Sequence, residues 1–170
     1  MHLTQHTDYA LRVLIYLGNN LDRLVTIAEI SGRLDVSRSH LMKVANELIR
    51  SGFVEGLRGK GGGLRLAREP ARIVVGDVVR VTERNKDIVE CFGPQNRCLL
   101  TPACQLKGIL AGALDAFMAV LDRATLADLL GPEQRPLLGP QILHPAAARG
   151  ASAPALAPAV QHAAKHRRDE

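Results

Sequence analysis

Apolar positions recur along the first 130 residues with two periods, one helical and one of strands. In residues 5–18, Tyr9, Val13 and Leu17 fall on one helical face, with Ala10 and Leu14 beside it. Thr4 or Thr7 can cap its start, and Gly18-Asn19-Asn20 ends it. Thr26-Ile27-Ala28-Glu29 has the form of a capping box and opens a short helix to about Arg33. After Asp35-Val36, Ser37 caps a longer helix from Arg38 to about Ser51, with Leu41, Val44, Ala45 and Leu48 as its buried stripe. Val36 and Leu41 suit a hydrophobic staple, and Gly52 a C-terminal stop.

The period then switches to two. Phe53 to Leu57 reads as a strand, Arg58-Gly59-Lys60-Gly61-Gly62-Gly63 as a turn, and Leu64 to Ala67 as the returning strand. Two short helices joined tightly, followed by a basic glycine-rich hairpin, predict a winged helix-turn-helix. Residues from Ile73 to Glu83, starting in earnest at Val75, make another amphipathic helix with Val78, Val79 and Thr82 inward. The longest helix runs from Gln105 to about Arg123. Its apolar stripe is wide: Leu106, Ile109, Leu110, Ala113, Leu114, Phe117, Val120 and Leu121. So small a domain cannot obviously cover it, and Gly108, Ala111, Gly112 and Ala116 permit close helix contact. This helix is therefore expected to form a dimer contact, and Thr125 to begin a last short helix to Leu130.

The expected fold class is mainly α with a small β-hairpin. Its parts are a winged helix-turn-helix domain over 1–84, a loop over 85–104, a dimerisation helix and short terminal helix over 105–130, and a tail over 131–170. Six of the nine prolines lie in that tail, among many alanines, so disorder is expected there. Its His144, His162 and His166 are too scattered to suggest a metal site.

Charge sharpens the picture. The formal net charge is +5. Residues 38–72 carry eight basic side chains against three acidic ones, which concentrates positive charge on the second helix of the pair and on the hairpin. A polyanionic partner follows, and the winged helix makes it double-stranded DNA. Ser37, Arg38, Ser39, His40 and Lys43 are the candidates on the recognition helix. Arg58, Lys60, Gly61 and Arg65 are the candidates on the wing, the cations for phosphates and the glycine for close backbone approach. No apolar run approaches the about 20 residues of a membrane helix, and the N-terminus lacks the order of a signal peptide. A cytoplasmic protein that contacts no membrane is expected. No catalytic acid–base set is visible, so no enzyme is expected.

The three cysteines lie within fourteen residues: Cys91, Cys98 and Cys104, in a segment holding Gly93, Pro94 and Pro102. Three thiols on a loop in a reducing compartment suggest metal ligation more than a disulfide. There is no Cys-x-x-Cys pair of the kind a zinc knuckle uses. The wider gaps suit an iron–sulfur cluster, which needs more ligands than these three. A carboxylate, a histidine, a small molecule or a group from a second subunit could complete the set. Asp8 and Arg12 lie four apart on the first helix, and by themselves read as a surface ion pair.

Three features together resemble the Rrf-type iron–sulfur winged-helix repressors: Leu3-Thr4 with Thr7-Asp8-Tyr9-Ala10-Leu11-Arg12, the wing from Arg58 to Ala67, and three spaced cysteines before a long helix. The resemblance covers residues 1 to about 130 and is closest to nitric-oxide-sensing members. It implies a homodimer with one cluster per subunit, [4Fe–4S] favoured over [2Fe–2S]. The implied ligands are Cys91, Cys98, Cys104 and, from the partner subunit, Asp8, with Arg12 as part of the switch. Relatives with a two-iron cluster usually use a histidine, and this chain has none between His40 and His144. The implied function is repression relieved by nitric oxide at an inverted-repeat operator with half-sites about one helical turn, ~34 Å, apart. Regulation by iron or cluster supply is the alternative within the family. An electron-transfer protein, or a winged helix whose cysteines are incidental, is the alternative outside it.

Overall fold

The computed structural model describes residues 3–83, 87–134 and 138. Helix α1 (Gln5–Gly18) is capped by Thr4, whose side chain accepts from the Thr7 amide at 3.3 Å. Helices α2 (Ile27–Leu34) and α3 (Arg38–Arg50) follow, joined through Asp35 in the left-handed region at φ 52°. Strands β1 (Val54–Leu57) and β2 (Gly63–Leu66) pair antiparallel. Val25 adds a bridge to Leu64, with N···O distances of 3.0 and 2.8 Å, which ties the hairpin to the segment before α2. Helix α4 (Val75–Thr82) comes next, and α5 (Gln105–Asp122) is the longest.

One core serves all the elements up to α4. Leu14, Tyr16 and Leu17 of α1 meet Ile30, Leu41, Leu48, Phe53, Val54, Leu64 and Ile73 in a buried cluster. The helical periodicity forecast Leu14, Leu17, Leu41 and Leu48 because each of those helices has one apolar face to bury, whereas Tyr16, Ile30 and the consecutive pair Phe53 and Val54 join the core beyond that pattern. Val78, Val79 and Thr82 are buried as expected.

The capping box before α2 is only half made. Thr26 Oγ1 accepts from the Glu29 amide at 3.1 Å. The Glu29 carboxylate is taken instead by the Tyr16 hydroxyl, which donates to it at 2.8 Å, and by Arg23. Tyr16 is fully buried, so its hydroxyl must find an acceptor, and Glu29 is the one in reach.

The expected helix from Thr125 to Leu130 is a shorter 3-10 turn, Ala127–Leu129. Thr125 is held extended by a β-bridge to Val74, and its amide and hydroxyl donate to Asp128 at 2.7 and 2.8 Å. Between them lies Leu126, 1 % exposed, whose amide donates to Ile73 O at 2.7 Å. The chain after α5 thus returns to the core. Past residue 131, Pro132–Gln134 forms another turn, and Asn19 Nδ2 donates to Gln134 Oε1 at 3.3 Å. The rest of the expected tail, with its three histidines, lies outside the described residues apart from Leu138, whose carbonyl accepts from Asn20.

No residue of α5 is buried. Leu110, Leu114, Phe117 and Leu121 are half-buried, while Leu106, Ile109, Ala113, Ala116 and Val120 are exposed. The exposed set follows a heptad spacing of three, four, three and four. Gly76 of α4 faces the Asp122 carboxylate, where a Cβ would come within 2.0 Å of Oδ1. The glycine leaves room for Arg80 to pair with Asp122 at 2.6 Å, which pins the end of α5 to α4.

Candidate nucleic-acid interface and cysteine loop

Helix α3 begins at Ser37, whose Oγ accepts from the His40 amide at 3.4 Å and lies 3.2 Å from Ser39 Oγ. The Ser37 hydroxyl is thus the cap of the helix. Arg38, Ser39, His40 and Lys43 are all exposed, because the buried stripe at Leu41, Val44, Ala45 and Leu48 turns the other face inward. Arg38 and Lys43 make no ion pair among the described residues. His40 has a neighbour that the sequence did not announce: its ring centroid is 6.2 Å from that of Tyr9, tilted by 35°. This contact joins the N-terminal half of α1 to the first turn of α3.

The wing projects Arg58 and Lys60 at its tip, both exposed and without an ion pair among the described residues. Gly61 has φ 82°, a conformation that glycine adopts without strain. At the adjoining Gly62 a Cβ would meet Leu57 O at 2.3 Å, so a side chain there would open the turn. Arg65 differs from the other two cations, for Glu55 holds it at 2.8 Å. At the base of the wing Arg68 lies over the Phe53 ring, 5.0 Å from its centroid, and its Nε donates to Gly52 O.

The segment from 87 to 104 has no regular structure beyond two 3-10 turns, Glu90–Phe92 and Thr101–Ala103. The hydrogen bonds seen within it are local, among them Asn96 to Thr101 at 2.8 Å and the Arg97 amide to Glu90 at 3.0 Å. All three cysteines are free thiols: Cys98 is exposed, Cys91 and Cys104 half-buried. Cys104 holds the cap position of α5 without a side-chain cap hydrogen bond. Among the described residues no group of three or more His, Cys, Asp or Glu is close enough in the single chain to hold a metal ion.

Asp8 is gripped by Arg12 through both oxygens, Nε to Oδ1 at 3.0 Å and Nη2 to Oδ2 at 2.8 Å. Their side chains are 44 % and 50 % exposed, so the pair is open to exchange for another partner. Half-exposed Leu11 and Ile15 lie along the same helix. The start of α1 has a second anchor, which sequence reasoning missed. Glu83, buried at the end of α4, accepts from the Thr4 amide at 2.6 Å and the Thr4 hydroxyl at 3.0 Å. Only an acidic residue directly after the inward-facing Val78, Val79 and Thr82 hinted at it. Between α1, α3 and the end of α4 lies an open cleft of about 810 Å³, lined by His6, Lys43, Asn46 and Arg50 among others.

Residues 3–132 match the family described as Rrf2, iron-dependent transcriptional regulator. The chain is 49 % identical over 132 residues to the HTH-type transcriptional regulator NsrR of Geobacillus kaustophilus (strain HTA426), covering 76 % of this chain and 90 % of that one. It is 48 % identical to the regulator of the same name from Bacillus subtilis (strain 168), with the same coverage of each chain. Among solved structures it resembles the global cysteine regulator CymR of B. subtilis (TM-score 0.62, 25 % identity, 76 % of this chain and 95 % of that one). It also resembles T. potens IscR (TM-score 0.61, 27 % identity, 76 % and 85 %). The family match spans the winged helix, the cysteine loop and α5 together.

Proposed function

The chain belongs to the Rrf2 family of transcriptional regulators, not of enzymes, and from that premise we propose that it is a dimeric operator-binding repressor that responds to nitric oxide through an iron–sulfur cluster. One observation carries the reading. Every thiol of the chain is free and accessible on one irregular loop, and that loop leads directly into a helix with an uncovered heptad seam.

The donor set fits such a cluster in its chemistry. Soft thiolates are the usual ligands, and a loop held by local hydrogen bonds can reshape around them. Cys91, Cys98 and Cys104 would hold it, and the partner subunit's Asp8 would complete the set as the hardest donor, with [4Fe–4S] favoured. When bound, the cluster supplies iron that nitric oxide ligates readily. The protein's own part is to hold Asp8 loosely. Arg12 already offers that carboxylate a bidentate partner, so the aspartate has a place to return to when released.

The readout follows from the elements around Asp8. Tyr9 adjoins it and rests against His40 in the first turn of α3. Thr4, which starts α1, is tied to Glu83 at the end of α4, shortly before the cysteine loop. A shift of the first turn of α1 would therefore reach the recognition helix directly. On DNA, α3 would enter the major groove with Ser39, His40 and Lys43 near base edges, and Arg58 and Lys60 would grip the backbone or minor groove. Pairing along the α5 seam would place two recognition helices on an inverted repeat.

The experiment is to purify the chain anaerobically, record its absorption spectrum and iron content, and select an operator from random duplexes. Nitric oxide is then titrated against an iron chelator while operator binding is followed. Release by nitric oxide before iron is lost supports the reading. Release only by the chelator assigns the protein to iron or cluster supply, and a colourless chain with unregulated DNA binding refutes the sensor altogether.

A further inference from the structure

In the β1–β2 register Glu55 stands directly opposite Arg65. Its Oε2 accepts from Arg65 Nε at 2.9 Å and lies 2.8 Å from Nη2. Both side chains are about half exposed, on the wing that the proposed reading turns toward DNA. Arg58 and Lys60, nearer the tip, carry no such partner among the described residues. A carboxylate beside a DNA-facing arginine opposes phosphate binding, so its presence asks for a reason.

We propose that Glu55 is a specificity-determining residue: it cancels the charge of Arg65 toward any duplex while fixing the guanidinium so that its free edge points in one direction. The inference rests on the wing contacting DNA as proposed above. Binding through phosphate neutralisation is independent of sequence, and each unpaired cation strengthens it at every site. A guanidinium has five N–H donors in a rigid fork. With Nε and one side of Nη2 engaged by Glu55, Nη1 is left to donate. A mobile cation is satisfied by any phosphate, whereas a held donor must find an acceptor where it points. The pair therefore contributes little to indiscriminate binding and keeps its contribution where the duplex presents a matching acceptor.

Glu55→Gln removes the charge and keeps the size and an acceptor oxygen. With the full chain purified anaerobically, binding to the selected operator and to a scrambled duplex of equal length is measured between about 50 and 200 mM salt. Binding to the scrambled duplex is expected to tighten on the order of 3–10-fold, with its log–log salt slope steeper by about 0.9, one further phosphate. The operator tightens less, so the ratio of the two affinities falls. Equal change on both duplexes, or no change on either, overturns the proposal. On an Arg65→Ala background Glu55→Gln should shift both duplexes equally and leave the ratio unchanged; a ratio that still falls overturns the pairing argument. Lys60→Ala separates the inference from its premise. If it weakens binding while Glu55→Gln does nothing, the wing reading stands and the inference fails. If Lys60→Ala also does nothing, the wing does not touch DNA and both fail.

Discussion

In the proposed reading Asp8 serves two states, as a cluster ligand and as the partner of Arg12. Both of its oxygens are engaged by Arg12, yet the pair is nearly half exposed, so its contribution to folding is on the order of 0–1 kcal/mol. Asp8→Ala should accordingly leave the melting temperature of the cluster-free chain within a few degrees of the parent, while iron retained through anaerobic gel filtration falls and the nitric-oxide response of operator binding changes. Unaltered iron retention and response would remove Asp8 from the ligand set. Glu29 is held differently. Hydrogen bonding from Arg23, then from Tyr16, keeps its carboxyl below the usual glutamate range against the opposing effect of burial. A carboxyl with a lowered folded-state value contributes stability above the ordinary glutamate range and loses it as pH falls through that lowered value. Thermal melts from about pH 7 down to pH 3 should show this acid-side loss, around and below the ordinary glutamate value of about 4.3, and Glu29→Gln should flatten that part of the curve.

At the scale of elements, α5 is the exception to the rule that each apolar stripe finds a cover. Its inner edge rests half-buried, and its end is pinned by Arg80 to Asp122 and by Leu126 in the core. Leu126→Ala should cost about 2–4 kcal/mol by leaving a cavity under that pin, read as a lowered midpoint in urea. The outer edge at Leu106, Ile109, Ala113, Ala116 and Val120 is bare. A charge placed there touches nothing in the single chain, so Ile109→Lys should preserve helical circular dichroism. In sedimentation it should convert a dimer to a monomer, and operator affinity should drop by a factor of roughly 100 or more as the two half-sites lose their linkage. An unchanged sedimentation coefficient would show that the seam is not the dimer contact.

For the whole molecule, positive charge and chemistry lie at different places on one frame. In the proposed reading the cations of α3 and the wing would supply sequence-independent attraction, and removing a cation that neutralises one phosphate should lower the salt slope by about one. Arg58→Ala and Lys60→Ala are each expected to do so in titrations from about 50 to 200 mM salt, weakening operator and unrelated DNA alike. Regulation asks for more than attraction: releasing an operator needs two states that differ in DNA affinity by ~3 kcal/mol, roughly a hundredfold. The described contacts place α1 where such a difference can be passed on, with Thr4 on Glu83 at one side and Tyr9 on His40 at the other.

Periodicity, capping residues and turn glycines by themselves determined α1 to α4, the hairpin and the start of α5, because each of these is decided by neighbours within a few residues. The crowding of three cysteines and the basic run from Arg38 to Arg72 were equally legible, being properties of order along the chain. Tertiary structure decided what depends on distant partners. It took Glu29 from its capping box, since a buried Tyr16 hydroxyl competes for the carboxylate. It set Arg65 against Glu55 through the strand register and so divided the wing cations into held and free. It drew Leu126 back into the core and carried ordered turns past Gly131. It also split the wide stripe of α5 into a half-covered edge and a bare one, for a period shows that a face is apolar but not how much surface the rest of the chain has to lay against it.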